Sequence, residues 1–282
     1  MNVMDHTLRL ESCAADFLRA IGGRESVAVF IAAHPDDETI GAGALLSRLR
    51  EPAVIHATDG APRNSCDAKA AGFGGQREYA EARSSEAQQA LAIAGVPRDR
   101  ILRLGFTDQE TSLALVRLTE AVAVALTRIR PDVVFTHSYE GGHPDHDSVA
   151  LATHAAVAVL RAKQAQTPNV TEFTSYHARP GIEGEIETGC FLGGEEAVEI
   201  AFADGERKIK DAMFQAYGTQ KAMLANFRTQ AERFRPAPSY DFSRPPHPGK
   251  LYYEHFHWGM TGRRWRSLAC EALAEMGLRT IL

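Results

Sequence analysis

Long uncharged apolar runs are missing from this 282-residue chain. None approaches the ~18 residues that a membrane-spanning helix needs, so no membrane partner is expected. Cysteine is scarce, with four residues at Cys13, Cys66, Cys190 and Cys270 and no C-x-x-C spacing. That scatter speaks against a disulfide framework or a cysteine zinc site and fits reduced thiols in a cytosolic protein. A basic excess is missing too: Lys and Arg total 31, Asp and Glu 36, the net charge is -5 and the pI is near 6.1. Phosphate-backbone binding needs clustered cations, so nucleic acid is not the expected partner, the local run Arg263-Arg264-Trp265-Arg266 notwithstanding. Segment 1–20 carries Asp5, Arg9, Glu11 and Asp16 and has no apolar run of signal-peptide length. A soluble, cytoplasmic protein is therefore expected. A glycine-rich phosphate loop is also lacking. Gly41-Ala42-Gly43 follows a strand-like run but does not complete G-x-G-x-x-G, which argues against a nucleotide-binding Rossmann protein.

What is present is an alternation of short apolar runs with helical patterns. An amphipathic helix is expected over residues 8–21, closed by Gly22-Gly23. The runs 26–33 (SVAVFIAA), 53–57, 101–104 and 132–137 (DVVFTH) read as strands, the longer ones apolar enough to be buried on both faces. Helices are expected at 38–50, 77–94, 112–130 and 147–163, with Gly41, Ala42 and Gly43 facing something close. Segment 61–75 is Gly-rich and reads as a mobile loop. The pattern predicts an α/β fold: a Rossmann-like, mostly parallel sheet with helices on both faces. Beyond Pro168 the signal weakens, with strand-like pieces at 172–177 and 197–202, a helix at 208–233 and a Pro-rich irregular stretch at 234–249. One domain over 1–282 is expected, its core sheet and site in 24–165 and a C-terminal elaboration in 166–282.

Chemistry concentrates in two places. His34-Pro35-Asp36-Asp37-Glu38 follows the first buried strand and opens a helix. Three carboxylates and an imidazole within five residues resist joint ionisation, and a divalent cation removes that cost. His34 and Asp37 suit zinc as donors, leaving Asp36 to act as a base beside it. His143-Pro144-Asp145-His146-Asp147 also follows a buried strand, which puts both motifs at one edge of the sheet, where open α/β folds bind ligands. His146 completes a His/Asp/His set with an open position. His143 is then a second imidazole, which Asp145 would hold as the cation so that it stabilises an oxyanion. His154, eight residues after His146, reads as structural.

These residues resemble the PIG-L/LmbE-like metal-dependent N-deacetylases, whose marks A-H-P-D-D-E and H-P-D-H both stand here, as Ala33 to Glu38 and His143 to His146. Thr58-Asp59-Gly60, Arg83-Ser84-Ser85-Glu86, Leu104-Gly105 with Asp108, Tyr217 to Gln220 and Tyr253 to Phe256 resemble the family's further marks. The resemblance implies one Zn2+ per chain, or another divalent metal, on His34, Asp37 and His146. It implies Asp36 as general base and His143, oriented by Asp145, as oxyanion stabiliser or proton donor. Arg83 and Asp108 match substrate-contact positions. Some members carry an aromatic residue two positions before the first His of the second motif; here that position is Gly141, and Tyr139, two residues earlier, is the candidate contact. The implied reaction removes an acetyl group from the nitrogen of a small amino-sugar conjugate, by attack of metal-activated water on the amide. The alternatives are a hydrolase of another amide or ester, such as an S-conjugate amidase, and a non-catalytic metal- or sugar-binding scaffold. Exposed patches are compatible with a homo-oligomer.

Overall fold

The structure, a computed structural model, describes residues 26–194, 197–227 and 230–282. The expected helix at 8–21 and Cys13 lie outside them. Five parallel strands run β1 (Ala28–Ala32), β2 (Ala53–Thr58), β3 (Ile101–Phe106), β4 (Val133–His137) and β5 (Asn169–Phe173). Two antiparallel strands, β8 (Val198–Ala201) and β9 (Ala231–Pro236), extend the sheet to the order β3-β2-β1-β4-β5-β9-β8. A separate hairpin pairs β6 (Tyr176–Ala178) with β7 (Ile186–Thr188).

β1 and β4 are neighbours, although β2 and β3 lie between them in the chain. The strand order reverses there, and a crevice opens at the carboxyl ends of strands at such a point. Both motifs leave their strands at that crevice. The apolar runs of β1, β2 and β4 are buried at every position, as two-sided strands require.

On one face of the sheet pack α1 (Asp37–Leu46), α3 (Gln76–Ile93) and α6 (Asp204–Ala216), around Phe30, Leu45, Leu91, Phe135 and Met213. On the other pack α4 (Leu115–Ile129) and α5 (Pro144–Ala162), around Val29, Ile31, Leu118, Val134 and Val149. The C-terminal helix α8 (Gly262–Glu275) closes a third cluster with Trp265, Leu273, Tyr139 and Phe242. Short helices α2 (Cys66–Ala70) and α7 (Lys221–Leu224) contribute to the wall of a cavity beside both motifs. Segment 61–75, expected as a loop, thus contains one ordered turn of helix.

The expected closeness at Gly41 is real: a Cβ there would lie 2.3 Å from Phe173 Cδ2 and 2.9 Å from the Thr174 carbonyl. The helix expected at 208–233 is a correction. It starts at Asp204, stops at Ala216, and β9 occupies its far end. The Ala231–Pro236 segment is a strand because it fills the gap between β5 and β8, a tertiary cause that local pattern does not carry.

A buried ion pair repairs a break in α1. Ala42 departs from helical geometry with φ of -148°. The amides of Ala44 and Leu45 donate to Glu232 at 2.8 and 2.9 Å, and Lys210 Nζ donates to the Ile40 carbonyl at 2.9 Å. Lys210 and Glu232 meet at 2.6 Å, both fully inside the protein. Backbone groups released by the kink are thereby satisfied by side chains from α6 and β9.

Candidate metal centre and active site

The β1 strand ends in a tight turn in which the Asp36 and Asp37 amides donate to the His34 carbonyl at 2.9 and 3.3 Å. The His34 amide donates to Asp37 Oδ2 at 2.7 Å, which folds the carboxylate back beside the imidazole. At β4, His143 caps α5: its Nδ1 accepts the Asp145 amide at 3.1 Å, and Pro144 fills the first helical position. His146, one turn in, then faces the first motif.

Donor atoms of three residues converge. His34 Nδ1 lies 3.1 Å from Asp37 Oδ2 and 3.3 Å from His146 Nε2, which is 3.2 Å from Asp37 Oδ1. Ligands about 2.0 Å from a tetrahedral zinc ion stand roughly 3.3 Å apart, so these separations fit a shared ion. The donor chemistry fits as well. Two imidazole nitrogens 3.3 Å apart share either a proton or a metal ion, and a carboxylate completes a standard zinc set. Four carboxylates, of Asp36, Asp37, Asp108 and Asp145, are buried in this region, with Arg83 as their one full-time cation among the described residues. Burial opposes protonation of His34, but the Asp108 and Asp37 carboxylates outweigh it and hold the imidazole well above its ordinary value. Burial raises the Asp37 carboxyl, yet His146, His137 and His34 bring it well below the carboxylate range. A cation is what this pocket is short of.

Asp36 faces the cavity with one oxygen held: Arg83 donates to Oδ2 at 2.7 Å. Burial pushes its carboxyl up to about 6, against the pull of Arg83. Arg83 also donates to the carbonyls of Gly60 at 2.6 Å and Pro35 at 3.4 Å. It lines the cavity, as expected, but two of its donor nitrogens are engaged in positioning Asp36 and its turn.

Asp145 departs from expectation. Its carboxylate stands 4.0 Å from His143 Nδ1, too far for a hydrogen bond. It accepts instead from the Gln109 amide at 2.6 Å, the Thr111 amide at 3.2 Å and the Thr111 hydroxyl at 2.5 Å, and it lies 3.3 Å from His34 Nε2. Asp108 Oδ1 is 3.1 Å from the same nitrogen. The imidazole these carboxylates orient is His34, whose other nitrogen faces the donor set. His143 is correspondingly no imidazolium here. Burial pushes it well below its ordinary value, His34 and His146 adding to that. Because Nδ1 accepts a backbone N–H, its proton sits on Nε2, and His143 is a neutral donor.

Tyr139 is not brought to the site. Its hydroxyl donates to the Arg244 carbonyl at 2.9 Å, and its ring stacks on Trp265 at 5.2 Å. Chain direction explains this: Gly141-Gly142 turns the backbone between Tyr139 and His143, so the tyrosine enters the C-terminal cluster.

His137, His56 and Tyr79 support the site from outside the sequence motifs. His137 ends β4, stacks on His146 at 4.0 Å, and accepts the Ala33 amide at 3.0 Å; burial pushes it down to about 4, so it is neutral. Its place at the end of a buried strand was the available clue. Glu38 binds His56 at 3.0 Å and accepts from Tyr217 at 3.1 Å. Thr219 donates to Glu86 from its amide at 2.9 Å and its hydroxyl at 2.6 Å, and Gln220 to Tyr79 at 2.5 Å. Segment 217–220 is thus a latch across α1 and α3. A cavity of about 430 Å³ opens beside the donor set, lined among others by Asp67, Asp108, His143, Tyr176, Gln220 and Trp258.

The fold is shared with solved deacetylases. The zinc-inhibited form of teicoplanin deacetylase Orf2 superposes with a TM-score of 0.57 at 16% identity, over 75% of this chain and 97% of that one. N,N'-diacetylchitobiose deacetylase from Pyrococcus horikoshii superposes at 0.54 and 16% identity, over 84% and 94%. In sequence, residues 29–157 match the PIG-L family model, described as GlcNAc-PI de-N-acetylase, the family that the two motifs resemble. A relative from Rhodococcus jostii (strain RHA1), described as 1D-myo-inositol 2-acetamido-2-deoxy-alpha-D-glucopyranoside deacetylase, is 30% identical over 174 residues. The match spans 51% of this chain and 56% of that protein. Among the described residues no helix is long and apolar enough to cross a membrane.

Proposed function

We propose that this protein is a zinc-dependent N-deacetylase acting on a small sugar-like amide. The observation that carries the reading is the convergence of His34 Nδ1, Asp37 and His146 Nε2 at mutual distances of 3.1–3.3 Å, with Asp36 beside them. A zinc ion held by these three would polarise the amide carbonyl and make water acidic enough to attack near neutrality. Asp36, fixed through one oxygen by Arg83, takes the proton of the attacking water. His143 donates from Nε2 to the oxygen on which negative charge grows, as a neutral imidazole. The proton collected by Asp36 is available to the departing amine, so acetate and a free amine result.

The cavity supports a neutral, hydroxyl-bearing substrate. Asp67 and Asp108 face it, Arg83 is already engaged, and Tyr176 and Trp258 offer flat apolar walls. Its volume of about 430 Å³ suits a small ligand. Asp36→Asn is expected to retain metal and lose roughly 10²–10⁴-fold in kcat, read as amine released from N-acetylglucosamine conjugates. Full activity in that variant, or in chelated protein proved metal-free, would remove the reading.

A further inference from the structure

We propose a second metal site, for a borderline-soft divalent cation of the zinc class, on His177, Glu187 and Cys190 of the β6–β7 hairpin. A ring nitrogen of His177, a carboxylate oxygen of Glu187 and the Cys190 sulfur lie within 4.8 Å of one another. His177 and Glu187 are directly paired across the two strands, and Cys190 follows two residues after β7 ends. The three donors therefore come from one short, registered unit.

The state of His177 points to a ligand. The residue is 1% exposed, and its Nε2 has no hydrogen-bond partner among the described residues. Its Nδ1 lies 3.0 Å from the Ala178 carbonyl, which can only accept, so Nδ1 carries the proton. Nε2 is left as a buried lone pair with nothing to receive it. An imidazole fixed by a backbone carbonyl on one nitrogen and bare on the other is the arrangement of a metal-binding histidine. A buried acceptor without a donor is otherwise a net cost.

The donor types select the ion. Nitrogen, carboxylate and thiolate together favour zinc-class cations over magnesium or calcium, which take oxygen. In the structure the Cys190 thiol is pushed up by burial and by the Glu187 and Glu140 carboxylates, with Arg233 opposing. Binding would form the metal–sulfur bond and release the thiol proton to solvent. Tetrahedral edges for such ligands are roughly 3.3–3.8 Å, so donors within 4.8 Å of one another would close up by at most about 1–1.5 Å on binding.

The role is structural. Tyr176, the first residue of β6, edges His146 at 5.1 Å and lines the cavity. Its carbonyl lies where a Cβ on Gly142 would be, 2.0 Å away, so the hairpin lies against the turn before His143. An ion clamping the hairpin would hold that wall.

Cobalt(II) titration of the full chain tests this independently of activity, because the proposed catalytic set contains no sulfur. A thiolate-to-cobalt charge-transfer band is expected in the near ultraviolet. It should persist in His146→Ala and Cys66→Ser and vanish in Cys190→Ser and His177→Gln. Metal analysis of the zinc-loaded protein should lose one equivalent in each of the latter two. Zinc should also shield Cys190 from alkylation of the wild-type protein, read by mass spectrometry, which needs no variant to fold. Absence of the band at saturating cobalt, or a band and alkylation rate indifferent to Cys190 and zinc, would overturn the site.

Discussion

Replacing Asp145 with Asn separates two accounts of the second motif. All four neighbours of this carboxylate are donors: the Gln109 and Thr111 amides, the Thr111 hydroxyl and His34 Nε2. An asparagine keeps one acceptor oxygen. Turned toward Gln109 and His34, it sets its NH2 against the Thr111 amide; turned the other way, it sets NH2 against His34 and Gln109. Either way a buried donor loses its acceptor, at about 1–3 kcal/mol of stability. The carboxylate charge facing His34 Nε2 is halved as well, since only Asp108 at 3.1 Å remains. Loss of such an orienting group weakens metal binding by about 10–100-fold, or ~1.4–2.7 kcal/mol. Asp108's presence argues for the lower end. The assay is competition for zinc against a chromophoric chelator, with kcat measured at saturating metal. If zinc affinity stays within about twofold of wild type while kcat alone falls, Asp145 serves His143 and does not orient His34.

Glu232→Ala removes acceptors from two α1 amides and strands the Lys210 ammonium in the core. We expect a loss of about 3–5 kcal/mol in urea unfolding, partly recovered in the double variant with Lys210→Met, and no recovery would mean that the two do not act as a pair. His154, read as structural, packs edge-on against Tyr240 and Phe242, and burial pushes its imidazole down to about 4. Its neutral form is the one the fold accepts, so its contribution is complete above the unfolded value near 6.5 and lost as pH falls toward 4, by up to about 3 kcal/mol. His154→Phe should flatten the stability profile over that window; an unchanged acid slope would exclude His154 as its source.

Much of this was legible because two-sided strands announce themselves. The runs at 26–33 and 132–137 contain β1 and β4, and each motif sits where its strand ends. Helix starts were harder. Pro144 and His143 open α5 three residues earlier than the periodicity implied, since capping residues are polar and carry no apolar repeat. β9 was invisible because six residues with two arginines and a glutamate become a strand only between β5 and β8. At the site, the motif residues converge as their spacing implied, but partnership did not follow adjacency. Asp145 is two residues from His143 and still serves His34, 111 residues away. Tyr139 turns away from the site, into the C-terminal cluster, for a similar reason: a glycine pair redirects the chain between it and the motif.

The splint on α1 bears on the order of events during synthesis. A nascent chain that has emerged through α5 already possesses every donor of the proposed catalytic centre. It does not yet possess Lys210 or Glu232, which reach back 170 and 188 residues to the kinked helix. Until they arrive, the turn bearing His34 and Asp37 rests on a helix with its own backbone groups exposed. Capture of a cation by the half-made protein would therefore be loose, and a chain halted before β9 would hold the chemistry of the site without its rigidity.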